Sequence, residues 1–286
     1  ARAPSPSSFP FSRTMTTFQP GQPIGVFDSG IGGLSVLQAL REELPHEDFV
    51  YLADSGNAPY GDAKGDAFVQ QRTLVVACNT ATAAAVETLR AAMPELPTVG
   101  VEPALKPAAI RSQTHHVGVL ATRGTVGSAR FERLRREHGQ RTHFAVQACD
   151  GLARAIEHST EAPLPATEAQ ARIDALCTQY AGALGAFGLR TGEIDTLVLG
   201  CTHYVFAKDS LRRLVGPDVQ IIDTGAAVAR QTRRILATAG TLAAEGADRP
   251  AGGITLFTTG QLNALQAAAE RWLQLPAQTC QALDQV

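Results

Sequence analysis

Several marks of common protein classes are missing from this chain. Its five cysteines are odd in number and form no CxxC pair, which argues against a disulfide framework or zinc ribbon and for reduced thiols. No apolar run approaches the ~20 residues of a membrane span. Acidic and basic residues nearly cancel, for a formal net charge of −2, so nothing in the balance calls for a nucleic-acid or membrane-surface partner. Lysine is scarce: only Lys64, Lys106 and Lys208 occur, none in a recognisable cofactor-binding context. Lys106, after Glu102-Pro103, reads as an ordinary first-turn helix residue. Arginines are spread out, and the densest group (Arg130, Arg133, Arg135, Arg136) has the spacing of a solvated helix face rather than a phosphate site.

What is present is a globular pattern, 44% hydrophobic and long enough to bury one large core or two small ones. Ala1 to Gln22 is rich in Ser, Pro, Thr and Arg with no acid, and reads as a disordered tail. Met15 reads as the natural start, which makes the residues before it a start-site artefact rather than a transit peptide. From Ile24 onward short apolar runs alternate with helical patterns, the signature of an α/β fold with parallel sheets flanked by helices. Strands are predicted at Ile24–Asp28, Phe49–Ala53, Leu74–Ala77, Thr98–Val101, Val117–Ala121, Thr142–Val146, Thr196–Leu199, Val219–Ile222 and Ile254–Phe257. Helices are predicted from Leu34 to Pro45, over Thr80–Ala92, and through Ala186 after a surface loop at Ser159–Pro165.

An internal echo runs through the pattern. Leu74–Thr80 (LVVACNT) matches Leu197–His203 (LVLGCTH), and Val26–Gly30 (VFDSG) matches Ile221–Gly225 (IIDTG). The echo predicts two similar α/β domains facing each other across an active-site cleft. The division is residues 23–102 plus 225–286 for one domain and 103–224 for the other.

Cys78 and Cys201 each fall at the carboxyl end of a strand, where open parallel sheets bind ligands. Each precedes a helix, whose exposed N–H groups and dipole are expected to lower the thiol pKa. Asn79, Thr80, Thr202 and His203 beside them are able to donate hydrogen bonds to a carboxylate. Cys149, Cys177 and Cys280 lack this context and read as small buried hydrophobes. Two thiols on opposite sides of a cleft suit inversion of an α-carbon, one acting as thiolate base and the other as thiol acid. The usual route to that chemistry, a pyridoxal phosphate Schiff base, needs a lysine; no cofactor is implied here. Asp28-Ser29-Gly30-Ile31-Gly32-Gly33 lacks the Lys-Ser/Thr of a P-loop, and Asp28 would repel phosphate. It suits an ammonium group or a proton relay, with the glycines serving a tight turn. His203 is able to titrate near neutrality; Cys201 and His203 as metal ligands have no nearby partners.

At these residues the chain resembles the bacterial glutamate racemases of the aspartate/glutamate racemase superfamily. The resemblance rests on Gly25–Leu37 (GVFDSGIGGLSVL), Asn57–Gly61 (NAPYG), Val75–Thr82 (VVACNTAT), Gly100–Pro107 (GVEPALKP) and Leu197–Tyr204 (LVLGCTHY). It implies a cofactor-independent enzyme with Cys78 and Cys201 as the catalytic pair, assisted by Asp28 and His203. Asp28, Ser29, Tyr60, Gly61, Asn79, Thr80, Thr202 and His203 would line the glutamate site. Glu157 resembles a third auxiliary acid, although His158 follows where an acid is common. Cys-Thr-His around Cys201 favours glutamate over aspartate, and a racemase of the same superfamily acting on aspartate or a hydantoin is the alternative substrate reading. The resemblance also implies a cytoplasmic enzyme supplying D-glutamate for peptidoglycan, commonly as a homodimer.

Two positions depart from the family pattern. Val205 stands where Pro is usual. Between Leu74 and Val75 about twenty residues of the usual crossover are missing, so Asp62–Leu74 barely meets the length a parallel connection needs. A covering helix is therefore expected to be lost or shortened, with sheet surface exposed and the Tyr60–Gly61 loop poorly placed. An inactive amino-acid-binding homologue is the alternative this departure raises.

Overall fold

The computed structural model describes residues 21–57, 72–161, 165–243 and 250–283. The expected tail, but for its last two residues, lies outside them, as do Tyr60 and Gly61. In chain order the first elements are β1 (Ile24–Asp28), α1 (Leu34–Glu43), β2 (Phe49–Ala53), β3 (Thr73–Val76), α2 (Asn79–Ala92) and β4 (Thr98–Gly100). Next come α3 (Leu105–Arg111), β5 (His116–Ala121), α4 (Arg123–Val126), α5 (Ala129–His138), β6 (His143–Ala148), α6 (Leu152–His158) and α7 (Ala166–Leu184). After β7 (Thr196–Gly200) a 3-10 helix (Thr202–Ala207) leads to α8 (Lys208–Val215) and β8 (Gln220–Ile222). The chain closes with α9 (Gly225–Thr238), β9 (Ile254–Thr258), α10 (Leu262–Leu273) and β10 (Cys280–Ala282).

Two sheets form, ordered β10-β9-β2-β1-β3-β4 and β6-β5-β7-β8, and every strand pair is parallel. The segments β2-β1-β3-β4 and β6-β5-β7-β8 repeat one order, so the strands leading to Cys78 and Cys201 occupy equivalent places. The other half of the sequence echo is coincidence: Val26–Gly30 belongs to the central strand β1, whereas Ile221–Gly225 leaves the edge strand β8. What those two share is local, an aspartate side chain accepting from the amide two residues on, Asp28 from Gly30 and Asp223 from Gly225.

Alternation along the strands decides which residues enter which layer. Ile24, Val26, Phe49, Tyr51, Val75 and Leu256 turn to one face of the first sheet, packed with Leu34, Leu37 and Leu40 of α1, Val228 and Leu236 of α9, and Leu265 of α10. Each such leucine contributes about 1.5–3 kcal/mol by leaving water. On the opposite face Leu52, Leu74 and Val76 pack under Ala81 and Leu89 of α2. Among the described residues α2 is the helix on that face, and Phe27 of β1 and Phe257 of β9 are only half-buried. At the foot of β3, buried Arg72 pairs with buried Glu47 and donates to the Thr241 carbonyl, tying the strand to the α1–β2 corner and the end of α9. In the second sheet Cys149 and Cys177 are core residues beside Leu197 and Leu199. Cys280 is buried in β10, a strand the sequence pattern did not reveal. All five cysteines are free thiols. The arginine group lies on α5, where Phe131 is the one fully buried side chain. Among the described residues no helix is long and apolar enough to cross a membrane.

Candidate active site

Parallel strands put all their carboxyl ends on one edge, and the chemistry-bearing residues gather there. Asp28 closes β1 and is fully buried. Its Oδ2 accepts from the Gly30 and Gly33 amides at 3.1 and 3.0 Å, so it caps the glycine turn as well as facing the site. Its Oδ1 is buried and has no hydrogen-bond partner among the described residues. Burial pushes this carboxyl up from its ordinary value, against the pull of His203's charge and the Gly33 amide.

Cys78 follows β3 and is the N-cap of α2, with extended backbone. Its sulfur accepts from the Ala81 amide at 3.3 Å and lies 3.3 Å from Ser29 Oγ. Both contacts favour the thiolate, as expected of a helix N-terminus, but they lose. Burial and the nearby Asp28 charge push Cys78 up to about 12, and Cys201 adds to the rise. The expected lowering is thus reversed for Cys78, because desolvation of a buried charge outweighs two hydrogen bonds. Next to it Asn79 is buried, and neither amide atom is paired among the described residues. Such groups cost about 1–3 kcal/mol each when left unsatisfied, and tend to persist where a ligand supplies the partner.

From the second sheet, Cys201 follows β7 and its sulfur lies 3.8 Å from His203 Nδ1. The other ring nitrogen of His203 is 3.1 Å from Glu157 Oε2, and Ser55 Oγ donates to Glu157 Oε1 at 3.2 Å. Burial pushes the imidazole down, but hydrogen bonds and charge from Cys201 and Glu157 hold it well above its usual value. Burial pushes Glu157 up, and His203 pulls it back below the ordinary carboxylate range. The pair is therefore an ion pair shared between α6 and the 3-10 helix.

The glycines of the Asp28 turn admit these groups. A Cβ on Gly30 would stand 2.5 Å from Glu157 Oε1, and one on Gly32 would collide with the His203 ring. Thr202 is buried, and its carbonyl accepts from Ser35 Oγ at 3.0 Å, fastening the 3-10 helix to α1. Thr80 faces Thr122 at 2.9 Å and Thr125 at 3.4 Å, so hydroxyls from α2 and α4 meet across the sheets.

The sequence profile of the Asp/Glu/Hydantoin racemase family matches residues 69–232. Along 86% of the chain, and 92% of the other protein, it is 41% identical to the glutamate racemase of Ectopseudomonas mendocina. This chain belongs to the glutamate racemase family. It is also 47% identical to the Cupriavidus pinatubonensis glutamate racemase over 75% of this chain and 79% of that one. Among solved glutamate racemases, isoform RacE1 from Bacillus anthracis superposes with a TM-score of 0.75 at 31% identity, over 93% of this chain and 98% of that one. The Escherichia coli glutamate racemase, solved with L-glutamate and the activator UDP-MurNAc-ala, gives 0.67 at 27% identity, over 87% and 95%.

In this glutamate racemase family member the structure brings together Asp28, Ser29, Cys78, Asn79, Thr80, Cys201, Thr202, His203 and Glu157. Tyr60 and Gly61 fall outside the described residues. Sequence reading missed Ser55, Thr122 and Thr125, which touch Glu157 and Thr80. The signal for the threonines was available: Thr122-Arg123-Gly124-Thr125 directly follows the predicted strand ending at Ala121, the same strand-end position that singled out the two cysteines.

Proposed function

We propose that this protein interconverts L- and D-glutamate without a cofactor, Cys78 and Cys201 exchanging the α-proton from opposite faces. The observation carrying this reading is that the two thiols stand at equivalent strand ends of different sheets, each beside its own acid–base group, and close enough that Cys201 perturbs Cys78. Asp28 and Cys78 resist being charged together, so one proton serves both: with it on Asp28, Cys78 is the thiolate. A thiol near 12 is rarely ionised but is a strong base when it is, which suits a weakly acidic α-carbon. The thiolate removes the α-proton, leaving a carbanion. Cys201 as thiol delivers a proton to the far face and becomes a thiolate beside the His203 imidazolium. The reverse reaction swaps the roles. Buried Asn79, unpaired among the described residues, and the threonine hydroxyls supply hydrogen-bond capacity for the substrate carboxylates.

In the same proposal Asp28, Ser29, Asn79, Thr80, Thr202 and His203 line the glutamate site with Tyr60 and Gly61. Residues 23–102 with 225–286 and residues 103–224 act as the two domains. The enzyme works as a cytoplasmic homodimer and supplies D-glutamate for peptidoglycan.

Heavy water tests the mechanism. Incubated with either enantiomer of glutamate, the protein is expected to replace the α-proton with deuterium while racemising. Cys78→Ala or Cys201→Ala, with one thiol left, should racemise neither enantiomer. Each should exchange the α-proton of only one, and of opposite ones. Retained α-proton with both enantiomers of glutamate would sink the proposal, and parallel incubations with aspartate and hydantoins show whether the substrate is another.

A further inference from the structure

The ion pair of His203 and Glu157 is carried by two short elements, the 3-10 helix and α6, and a third element touches both. Phe206, three residues after His203 in the 3-10 helix, stacks on Trp272 of α10 with centroids 3.8 Å apart and planes 7° from parallel. Residues three apart in a 3-10 helix eclipse, so the stack grips the edge of the helix that presents the imidazole. The preceding residue, Arg271, lies 5.9 Å from the Trp272 ring and donates to Ser159 Oγ at 3.4 Å. Ser159 caps α6, two residues beyond Glu157. The same face of α10 carries Leu265, Ala268, Ala269 and Leu273 into the core of the first sheet, so the stack stands on a helix already fixed in place.

We propose that Arg271 and Trp272 are positioning residues, a clamp by which α10 fixes the 3-10 helix and α6 so that His203 and Glu157 stay in register behind Cys201. The inference deepens the two-thiol reading and rests on it for its kinetic consequence. Both stacked rings are half-buried and pack against the cores of both sheets, so the stack stands where the two halves meet. What a near-parallel stack fixes is orientation, and the 3.1 Å contact between His203 and Glu157 depends on orientation. Among the described residues Cys201 and Glu157 face the imidazole by direct contact, and Asp28 by charge.

The test compares Trp272→Leu, Trp272→Phe and Phe206→Leu with Leu265→Ala, which weakens the packing of α10 about two turns before the stack. Trp272→Leu and Phe206→Leu are expected to lower kcat about 10- to 100-fold with KM within about twofold, and Trp272→Phe to restore most of the loss. Leu265→Ala should lower the melting temperature with kcat near that of the parent. By nitrogen NMR, the His203 ring signals should move in Trp272→Leu and stay in place in Leu265→Ala. Unmoved His203 signals in Trp272→Leu, or equal kcat losses in Trp272→Leu and Leu265→Ala, overturn the clamp. If the parent protein racemises nothing, the functional reading falls by itself and the His203 signals alone still decide the clamp.

Discussion

Around Cys78, burial and the Asp28 charge raise the thiol while Ser29 and the Ala81 amide lower it. Removing the charge should therefore move the thiol down. In Asp28→Asn, alkylation of Cys78 is expected to begin at lower pH than in the parent, while racemisation falls about 10²- to 10⁴-fold with the loss of the proton acceptor. An alkylation profile that stays put would show that Asp28 does not set the thiol. Across the site, His203 is raised above 6.5 and Glu157 lowered below 4.5. A raised histidine stabilises fully below its unfolded pKa and loses that contribution as pH rises through the folded one. A lowered carboxyl stabilises fully above its unfolded pKa and loses it as pH falls through the folded one. Both contributions are complete between the two ordinary values. Glu157→Gln should accordingly cost most stability between pH 4.5 and 6.5 and move the His203 titration downward, read by melting curves and by NMR.

One element, the turn from Ser29 to Gly33, shows why this sequence was readable and where reading stopped. Its glycines read as a tight turn, and they form one; Asp28, read as an ammonium or proton-relay group, also caps that turn through the Gly30 and Gly33 amides. That Gly30 and Gly32 also make room for Glu157 and His203 was not legible, because those partners lie more than a hundred residues away. Gly32→Ala would press a methyl into the His203 ring, between a capped turn and a 3-10 helix fastened by Ser35 and Tyr204. The expected cost is about 1–3 kcal/mol, as for other overpacked sites, together with a fall in kcat that Gly21→Ala, a position open around its Cβ, should not show. Wild-type kcat in Gly32→Ala would mean the turn gives way. β1 and β2 were predicted to the residue because central parallel strands are buried along most of their length, leaving short apolar runs that stop at turn residues. β10 was missed for the converse reason: it has three residues, and only Cys280 is buried.

For the whole molecule, the repeated strand order explains how two cysteines 123 positions apart (201 − 78) come to serve one site. The matching apolar runs before them and the strand that becomes β9 were visible in the sequence; β10, which extends the first sheet to six strands, was not. A site assembled from both sheets has a thermodynamic consequence. A ligand that supplies partners for Asn79 and Asp28 Oδ1 on one side, and contacts the residues about His203 on the other, binds only when both halves are folded and apposed. By linkage, D- or L-glutamate at 100 times its Kd should stabilise the protein by about 2.7 kcal/mol. For a chain of this size that is a rise of roughly 5–10 °C in Tm. Cys78→Ala keeps the site's binding groups and should show a comparable rise with either enantiomer despite its lost turnover. Asn79→Ala removes an amide that has no partner among the described residues, so its own Tm should not fall while its glutamate-induced rise shrinks. A parent Tm indifferent to both enantiomers would mean that the two sheets do not close on glutamate at all.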